Sequence, residues 1–346
     1  MEGIAALGAV ALLVAAAPLG ARAGAAKSSV VGQVRVLKIS YRAHNDDRRN
    51  AYVALPRTYR PGQDPPIPLV ISPHGRGVTG RANIRLWGQL PAIGGFAVIS
   101  PDGQGRVLAN YSWGSLGQIS DLARMPQIVH RTLPWVHVDE RRIYALGGSM
   151  GGQETLLLLA RYPRLLAGAA AFDPVVNFKL QYSEFPYLKC SKACQKTWGG
   201  PVGRSLQELA REELGGPPNE NPEAFKLRSP ITYARALAFS HVPLQIWWSP
   251  QDKIVIDQQK QAGRLVHLIR HLNPHADLVG FTGAWRHSAE MRSRTRLPLA
   301  LAMFGLLPAS YGHLGGLQVI GKSPVNGAPG PVPVPKRSLL VRLGTG

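Results

Sequence analysis

Short apolar segments bounded by Gly, Pro or Asp recur through the middle of the chain, and each has the length of a strand buried on both faces. Segments of helical length lie between several of them. This alternation predicts an α/β fold, with a mostly parallel central sheet covered by helices on both faces. The predicted strands span residues 68–72, 96–100, 142–146, 167–172, 244–248 and 277–281, and the predicted helices include 120–133, 151–162 and 258–271.

The pattern changes in three other regions. Two apolar segments at 34–41 and 51–55, separated by polar residues, predict an N-terminal antiparallel hairpin. Residues 177–228 form a segment about twice as long as an ordinary strand-helix unit, which predicts an inserted cap or lid. Residues 314–346 are rich in Gly, Pro and Val without periodicity and predict a disordered tail, which leaves residues 24–313 as the main domain.

The N-terminus resembles an export signal. Residues 1–23 contain a long apolar run and end in Ala21-Arg22-Ala23, the small-x-small pattern that signal peptidase accepts. This predicts a signal peptide, and therefore a secreted or cell-envelope protein. Glu2, together with the absence of Lys and Arg from the start, leaves an uncleaved N-terminal anchor as the alternative.

Composition and charge narrow the class of protein. The chain has 346 residues, of which 45% are hydrophobic and 17% charged, which is enough to bury one large core. A formal net charge of +20 predicts attraction to anionic surfaces such as cell-wall polymers or membranes. The basic residues are scattered and form no stripe interleaved with aromatic residues, so no specific nucleic-acid partner is predicted.

The sequence predicts neither a metal nor a cofactor. Cys190 and Cys194 are predicted to form a small disulfide in an oxidising compartment, since no further metal ligands lie near them. His267 and His271 lie four apart on a predicted helix without a third ligand, which favours a solvated helix face. Residues 103–105, Gly-Gln-Gly, lack the third glycine and the acidic partner of a dinucleotide site.

The strongest local motif is Gly147-Gly148-Ser149-Met150-Gly151-Gly152, which follows a predicted strand and precedes a Leu-rich predicted helix. A serine at such a strand-to-helix turn is a nucleophile elbow, because the flanking glycines remove side chains that would clash with the strained backbone. The helix N-terminus also favours a developing negative charge. We therefore predict that Ser149 is a nucleophile.

This elbow and the segments around it resemble the α/β-hydrolase superfamily, and most of all the prolyl oligopeptidase (S9) catalytic domain and related esterases, over residues 68–291. In such enzymes the nucleophile, the acid and the histidine follow in that order along the chain. The resemblance implies Asp252 as the acid and His287 as the base. Asp257 also follows the same predicted strand, but a helix-capping role is favoured for it.

The resemblance also implies how an oxyanion would be bound. One donor is expected to be the backbone N–H of Met150, and the other that of Arg76 in the segment Pro73-His74-Gly75-Arg76-Gly77, with its two neighbouring glycines as alternatives. His74 is expected to shape this loop.

Two further residues are candidates for contact with substrate. Trp285 lies close to His287, and Asp173 follows a predicted strand, although a turn-capping role is the alternative for Asp173.

Together these features predict a serine hydrolase that cleaves carboxylic esters through an acyl-enzyme, with a small-molecule ester as substrate. The alternative is an S9-like serine peptidase acting on short peptides, and the absence of room for a β-propeller favours the esterase. A second alternative is a non-catalytic wall-binding protein on a hydrolase scaffold. The presence of all three catalytic residue types argues against that alternative.

Overall fold

The computed structural model describes residues 27–31, 33–188, 202–312 and 315–321, and its central feature is a sheet of ten strands within these ranges. The strands are β1 (Lys27–Val31), β2 (Val34–Arg42), β3 (Arg48–Pro56), β4 (Ile67–Ile71), β5 (Ala97–Pro101), β6 (Val138–Gly148), β7 (Gly168–Phe172), β8 (Leu244–Trp248), β9 (Leu278–Thr282) and β10 (Gln318–Ile320). Their order across the sheet is β1-β2-β3-β5-β4-β6-β7-β8-β9-β10.

The direction of the strands matches the predicted fold. The strands from β4 to β9 are parallel to their neighbours within that group. Strands β2 and β3 form the predicted antiparallel hairpin, and β3 joins β5 in antiparallel orientation. Because parallel strands place their carboxyl ends at one edge, the loops after β4, β6, β7, β8 and β9 meet there.

Helices cover both faces of the sheet. They are α1 (Gly80–Ile84), α2 (Leu90–Gly94), α3 (Leu116–Ala123), α4 (Met125–Thr132), α5 (Met150–Arg161), α6 (Phe178–Glu184), α7 (Arg204–Leu214), α8 (Pro222–Leu227), α9 (Ala234–Ala238), α10 (Arg264–Leu272) and α11 (Leu297–Met303). The predicted helix at 120–133 is in fact divided between α3 and α4. Pro126 lies in the first turn of α4 and has no N–H with which to continue the hydrogen bonding of α3.

Strand β7 shows how the two cores are separated. Ala169 and Ala171 belong to a core on the face covered by α3, α4, α5, α9 and α10. Ala170 and Phe172 belong to a second core on the opposite face, which includes residues of α1, α2 and α11. Successive side chains of a strand point to opposite faces, so the wholly apolar sequence of β7 follows from burial on both sides.

The region predicted as a cap contains α6, α7 and α8 and has a third apolar core of its own. Phe178, Leu206 and Phe225 are buried in this core, where they meet Trp113 and Met150 from the main domain. The inserted segment therefore packs beside the beginning of α5. Cys190 and Cys194, the predicted disulfide, lie outside the described residues.

The predicted tail requires a correction at its beginning. Strand β10 lies within it and pairs antiparallel with β9. Leu317 and Val319 pack against the second core, which explains why this short segment joins the sheet although it lacks the length of the predicted strands. The rest of the tail from residue 322 and the predicted signal peptide at 1–23 lie outside the described residues. Among the helices that are described, none has the length and apolar character needed to cross a membrane.

Candidate active site

Ser149 lies at the sharp turn between β6 and α5. Its backbone has φ 58° and ψ −125°, a left-handed conformation that is costly for a residue with a side chain. A Cβ on Gly147 would lie 2.3 Å from the carbonyl oxygen of Gly151, and a Cβ on Gly151 would lie 2.3 Å from that of Pro73. Both glycines are therefore required by close backbone contacts, as in a nucleophile elbow.

His287 and Asp252 form a buried pair in the loops after β9 and β8. The distance from His287 Nδ1 to Asp252 Oδ2 is 2.7 Å, and both side chains are almost fully buried. Because an ionised carboxylate only accepts hydrogen bonds, this contact places the imidazole proton on Nδ1. The other nitrogen, Nε2, is then the basic atom of the ring.

Asp252 is itself held in place by neighbouring groups. Its Oδ1 accepts hydrogen bonds from the backbone N–H groups of Ile254 and Val255, at 2.8 and 3.1 Å. The side-chain amide of Gln258 donates to Oδ2 at 3.2 Å. Asp257 instead forms an ion pair with Lys260 at 2.7 Å and accepts from its backbone N–H, in agreement with the predicted capping role.

Asp173 and Trp285 lie behind the loop of His287, and neither lines the cavity in front of Ser149. The two were predicted to contact substrate. Asp173 is fully buried and its Oδ2 accepts from the indole N–H of Trp285 at 2.9 Å. The same oxygen accepts from the backbone N–H of Ser288 at 2.7 Å, so the pair anchors the residues on both sides of His287.

Ser249 completes this anchor, and the sequence reasoning did not single it out. Its backbone N–H donates to Asp173 Oδ1 at 3.0 Å. Its hydroxyl donates to the carbonyl of Trp285 at 2.7 Å and accepts from the Trp285 backbone N–H at 3.1 Å. Its position in the sequence, directly after β8 and shortly before Asp252, is the feature by which the sequence could have identified it.

Burial alters the acidity of Asp173. The pKa of its carboxyl is raised to about 7, mainly because burial disfavours the charged form and secondly because the carboxylate of Asp252 lies nearby. His287 and the hydrogen bonds from Trp285 and Ser288 act in the opposite direction. Asp173 is thus a carboxyl that can change its charge near neutral pH.

The loop after β4 carries the predicted oxyanion donor. His74 is buried, with its Nδ1 2.7 Å from the carbonyl of Gly75 and its Nε2 accepting from the N–H of Gly103 at 2.7 Å. Burial lowers the pKa of His74, which favours this neutral, structural form. The N–H of Gly77 donates to Asn110 at 2.8 Å, which removes Gly77 as an oxyanion donor.

A cavity of about 200 Å³ opens in front of Ser149. Arg76 lines it, whereas Met150 begins α5 directly after the serine and has its side chain in the third core. The walls are largely apolar, and no described residue of the 177–228 insertion contributes to them. The lining residues are Gly75, Arg76, Val78, Ala82, Asn83, Leu86, Gly148, Ser149, Ile254, His287, Ser288, Met291 and Arg292. The apolar residues among them were not predicted, since their contact depends on the tertiary fold.

Among the described residues, one group has ligand atoms close enough together to hold a metal, within 4.8 Å of one another. It consists of Asp173, Asp252 and His287. Their hydrogen bonds argue against that role. Both oxygens of each carboxylate already accept N–H donors, and His287 Nδ1 faces Asp252. The arrangement fits a histidine held in place by hydrogen-bonded carboxylates rather than a cation site.

Comparison with known proteins agrees with this architecture. No protein-family model matches the chain. Over 244 residues, 60% of the chain, the sequence is 29% identical to the acylamino-acid-releasing enzyme of Rattus norvegicus. The match spans 31% of that enzyme, so the chain covers about a third of the curated relative.

Two solved structures show the same fold. The acylaminoacyl peptidase of Pyrococcus horikoshii has a TM-score of 0.55 and 16% identity, over 78% of this chain and 40% of that protein. The esterase of Pyrobaculum calidifontis has a TM-score of 0.53 and 18% identity, over 74% of this chain and 76% of that protein. The α/β-hydrolase fold and the predicted resemblance to S9 peptidases and esterases are thereby confirmed.

Proposed function

We propose that this protein is a serine hydrolase that cleaves carboxylic esters through an acyl-enzyme. The proposal starts from its α/β-hydrolase fold and its similarity to S9 peptidases and esterases. The observation that carries the proposal is the 2.7 Å contact between His287 Nδ1 and Asp252 Oδ2, because His287 also lines the cavity of the elbow serine. Ser149 is the nucleophile, His287 the general base and Asp252 the acid that orients the imidazole.

The reaction begins when Ser149 Oγ attacks the ester carbonyl carbon and its proton passes to His287 Nε2. The carbonyl oxygen becomes an oxyanion, which the backbone N–H groups of Met150 and Arg76 stabilise at the positive end of α5. Collapse of this intermediate expels the alcohol, which takes the proton from His287. Water then attacks the acyl-enzyme as it gives a proton to His287 Nε2, and His287 passes this proton to Ser149 Oγ as the acid is released.

The cavity supports an ester with a small acyl group. The cavity has an apolar wall formed by Val78, Leu86 and Met291. Its volume of about 200 Å³ suits a short acyl chain rather than a long one. The esterase relative matches this chain over most of its own length, which also favours an ester. The second candidate activity is cleavage of N-acylated amino acids or short peptides, which the acylamino-acid-releasing relative supports.

The proposal is tested by exposing the purified protein to a fluorophosphonate probe and to two substrate series, short p-nitrophenyl esters and acylaminoacyl p-nitroanilides. We expect labelling of the native protein, none of Ser149→Ala, and a loss of turnover of about four orders of magnitude or more in that variant. Ser183→Ala, which removes an exposed serine of the insertion, is the matched control and should keep both.

The faster substrate series then chooses between esterase and peptidase. Absence of labelling in well-folded native protein, or equal labelling of Ser149→Ala, would refute the assignment of Ser149.

A further inference from the structure

Arg76 is a charged residue among those that line the cavity of Ser149, and it is almost fully buried. Only 6% of its surface is exposed, although arginine is among the residues least often buried. Burial lowers its pKa to about 10, so the guanidinium remains protonated at neutral pH. One of the residues that line the cavity of Ser149 therefore carries a positive charge.

A second arginine, Arg292, lines the same cavity. Arg292 follows Met291 on the segment after His287, and it is exposed towards solvent. None of the described residues that line the cavity is an aspartate or a glutamate. Asp252 and Asp173 both lie behind the histidine loop rather than in the wall. The lining residues that carry a permanent charge, Arg76 and Arg292, are both arginines.

The positive charges and the apolar wall together define a recognition site. Val78, Leu86 and Met291 suit a short run of methylene groups, and a guanidinium is the donor that matches a carboxylate in geometry. A charge in a partly dehydrated cavity acts on a bound anion more strongly than one in open water. The net charge of +20 also draws anionic molecules towards the surface.

We propose that the site selects esters whose acyl group ends in a carboxylate, that is, monoesters of short dicarboxylic acids, and that the Arg76 side chain determines this specificity. The inference rests on the proposed esterase function. The acyl chain would lie along the apolar wall while its carboxylate meets the guanidinium of Arg76, and Arg292 would attract the anion at the entrance.

The test measures kcat/KM for two p-nitrophenyl esters of similar length, the monoglutarate and the hexanoate. We expect the native protein to prefer the anionic ester by roughly tenfold or more, the contribution of one hydrogen-bonded charge pair. In Arg76→Met, which keeps the backbone N–H and much of the side-chain volume, this ratio should fall to about one. Arg76→Lys keeps the charge and should retain part of the preference.

Controls separate charge selection from other roles of Arg76. Arg294→Gln removes an exposed arginine close in sequence to Arg292 that does not line the cavity, and the ratio should stay unchanged. Equal loss of both rates in Arg76→Met would overturn the proposal, because the side chain would then serve the oxyanion in every substrate. A preference that appears only when the leaving group carries the charge would overturn the acyl-side assignment.

Failure of this inference can be distinguished from failure of the proposed function. A native protein that hydrolyses both esters equally, with turnover that depends on Ser149, would refute the specificity and leave the serine hydrolase intact. A folded protein that hydrolyses neither ester and resists the fluorophosphonate probe would refute the function on which the inference rests.

Discussion

Asp173 is a fully buried carboxylate that joins the loops after β7, β8 and β9. It accepts N–H donors from Ser249, Trp285 and Ser288, and two of these residues flank His287 in the sequence. Its backbone has φ 43°, a conformation that side chains seldom adopt. The carboxylate thus fixes the segment that carries the histidine, and we expect it to act on catalysis through that segment.

Replacement of this carboxylate tests its positioning role. In Asp173→Asn one oxygen becomes an NH₂ group, which faces at least one N–H donor and leaves it unsatisfied. We expect kcat/KM for esters to fall about 10-fold to 100-fold and the free energy of unfolding to fall by about 1–3 kcal/mol. The measurements are steady-state kinetics across pH and denaturant unfolding.

The pH profile separates positioning from general destabilisation. The raised pKa of Asp173, about 7, means that its titration should contribute to the native profile near neutral pH and disappear in Asp173→Asn. Asp47→Asn changes an exposed aspartate in the turn between β2 and β3, far from the loop of His287 in the sequence, and serves as the control. An unaltered pH profile in a destabilised Asp173→Asn protein would contradict the positioning role.

Single residues differ in how far the sequence can predict their role. Ser149 could be predicted as a candidate nucleophile because its neighbouring glycines mark a tight turn, and the structure shows that close backbone contacts require them. Asp252 and His287 were implied by the resemblance to α/β-hydrolases, in which the acid and the histidine follow the nucleophile along the chain. The anchoring role of Asp173 could not be predicted, since its partners come from loops that only the folded sheet brings together.

At the scale of elements, α5 begins directly after Ser149, the proposed nucleophile, and carries a buried acidic residue in its second turn. Glu154 accepts hydrogen bonds from the hydroxyl of Ser112 and from the side chain of Gln118 on α3, the latter at 3.5 Å. Burial raises its pKa to about 7, and these hydrogen bonds only partly oppose that effect. Helix α5 therefore carries a carboxyl that folding tends to keep protonated.

The pH dependence of stability should reveal this carboxyl. A raised pKa means that the folded protein retains a proton that the unfolded chain has lost, so the contribution of Glu154 to stability falls between about pH 4.5 and pH 7. The slope for one group is about 1.4 kcal/mol per pH unit. In Glu154→Gln we expect a smaller loss of the free energy of unfolding across this window.

Urea unfolding at pH 5 and pH 8 measures this difference. Glu223→Gln, at an exposed position of the insertion, is the control and should show the native pH dependence. Identical pH dependence in Glu154→Gln and the native protein would show that Glu154 titrates normally.

The elements also differ in how well a pattern predicts them. Strands such as β7 and β8 were predicted within one residue, because burial on both faces leaves an apolar segment of definite length. The break between α3 and α4 was missed, since apolar periodicity continues through Pro126 while the hydrogen bonding does not. Strand β10 was missed because three residues are too few to form a pattern.

At the scale of the whole molecule, the net charge of +20 leads to a prediction about adsorption. We expect the protein to bind an anionic polymer matrix such as dextran sulfate at low salt and to elute as salt approaches 1 M. The physical reason is that the screening length shrinks from about 10 Å at 0.1 M to about 3 Å at 1 M. Retention on uncharged dextran is the control, and retention that does not depend on salt would contradict the prediction.

Strand β10 has a consequence for self-association. It covers one edge of β9, the strand whose following loop carries His287. An open strand edge offers unpaired N–H and carbonyl groups to other chains, and shorter edges offer fewer. By replacing the five-residue edge of β9 with its own three residues, β10 makes strand exchange and fibre-like stacking between copies less favourable. A chain shortened before this strand should therefore aggregate more readily.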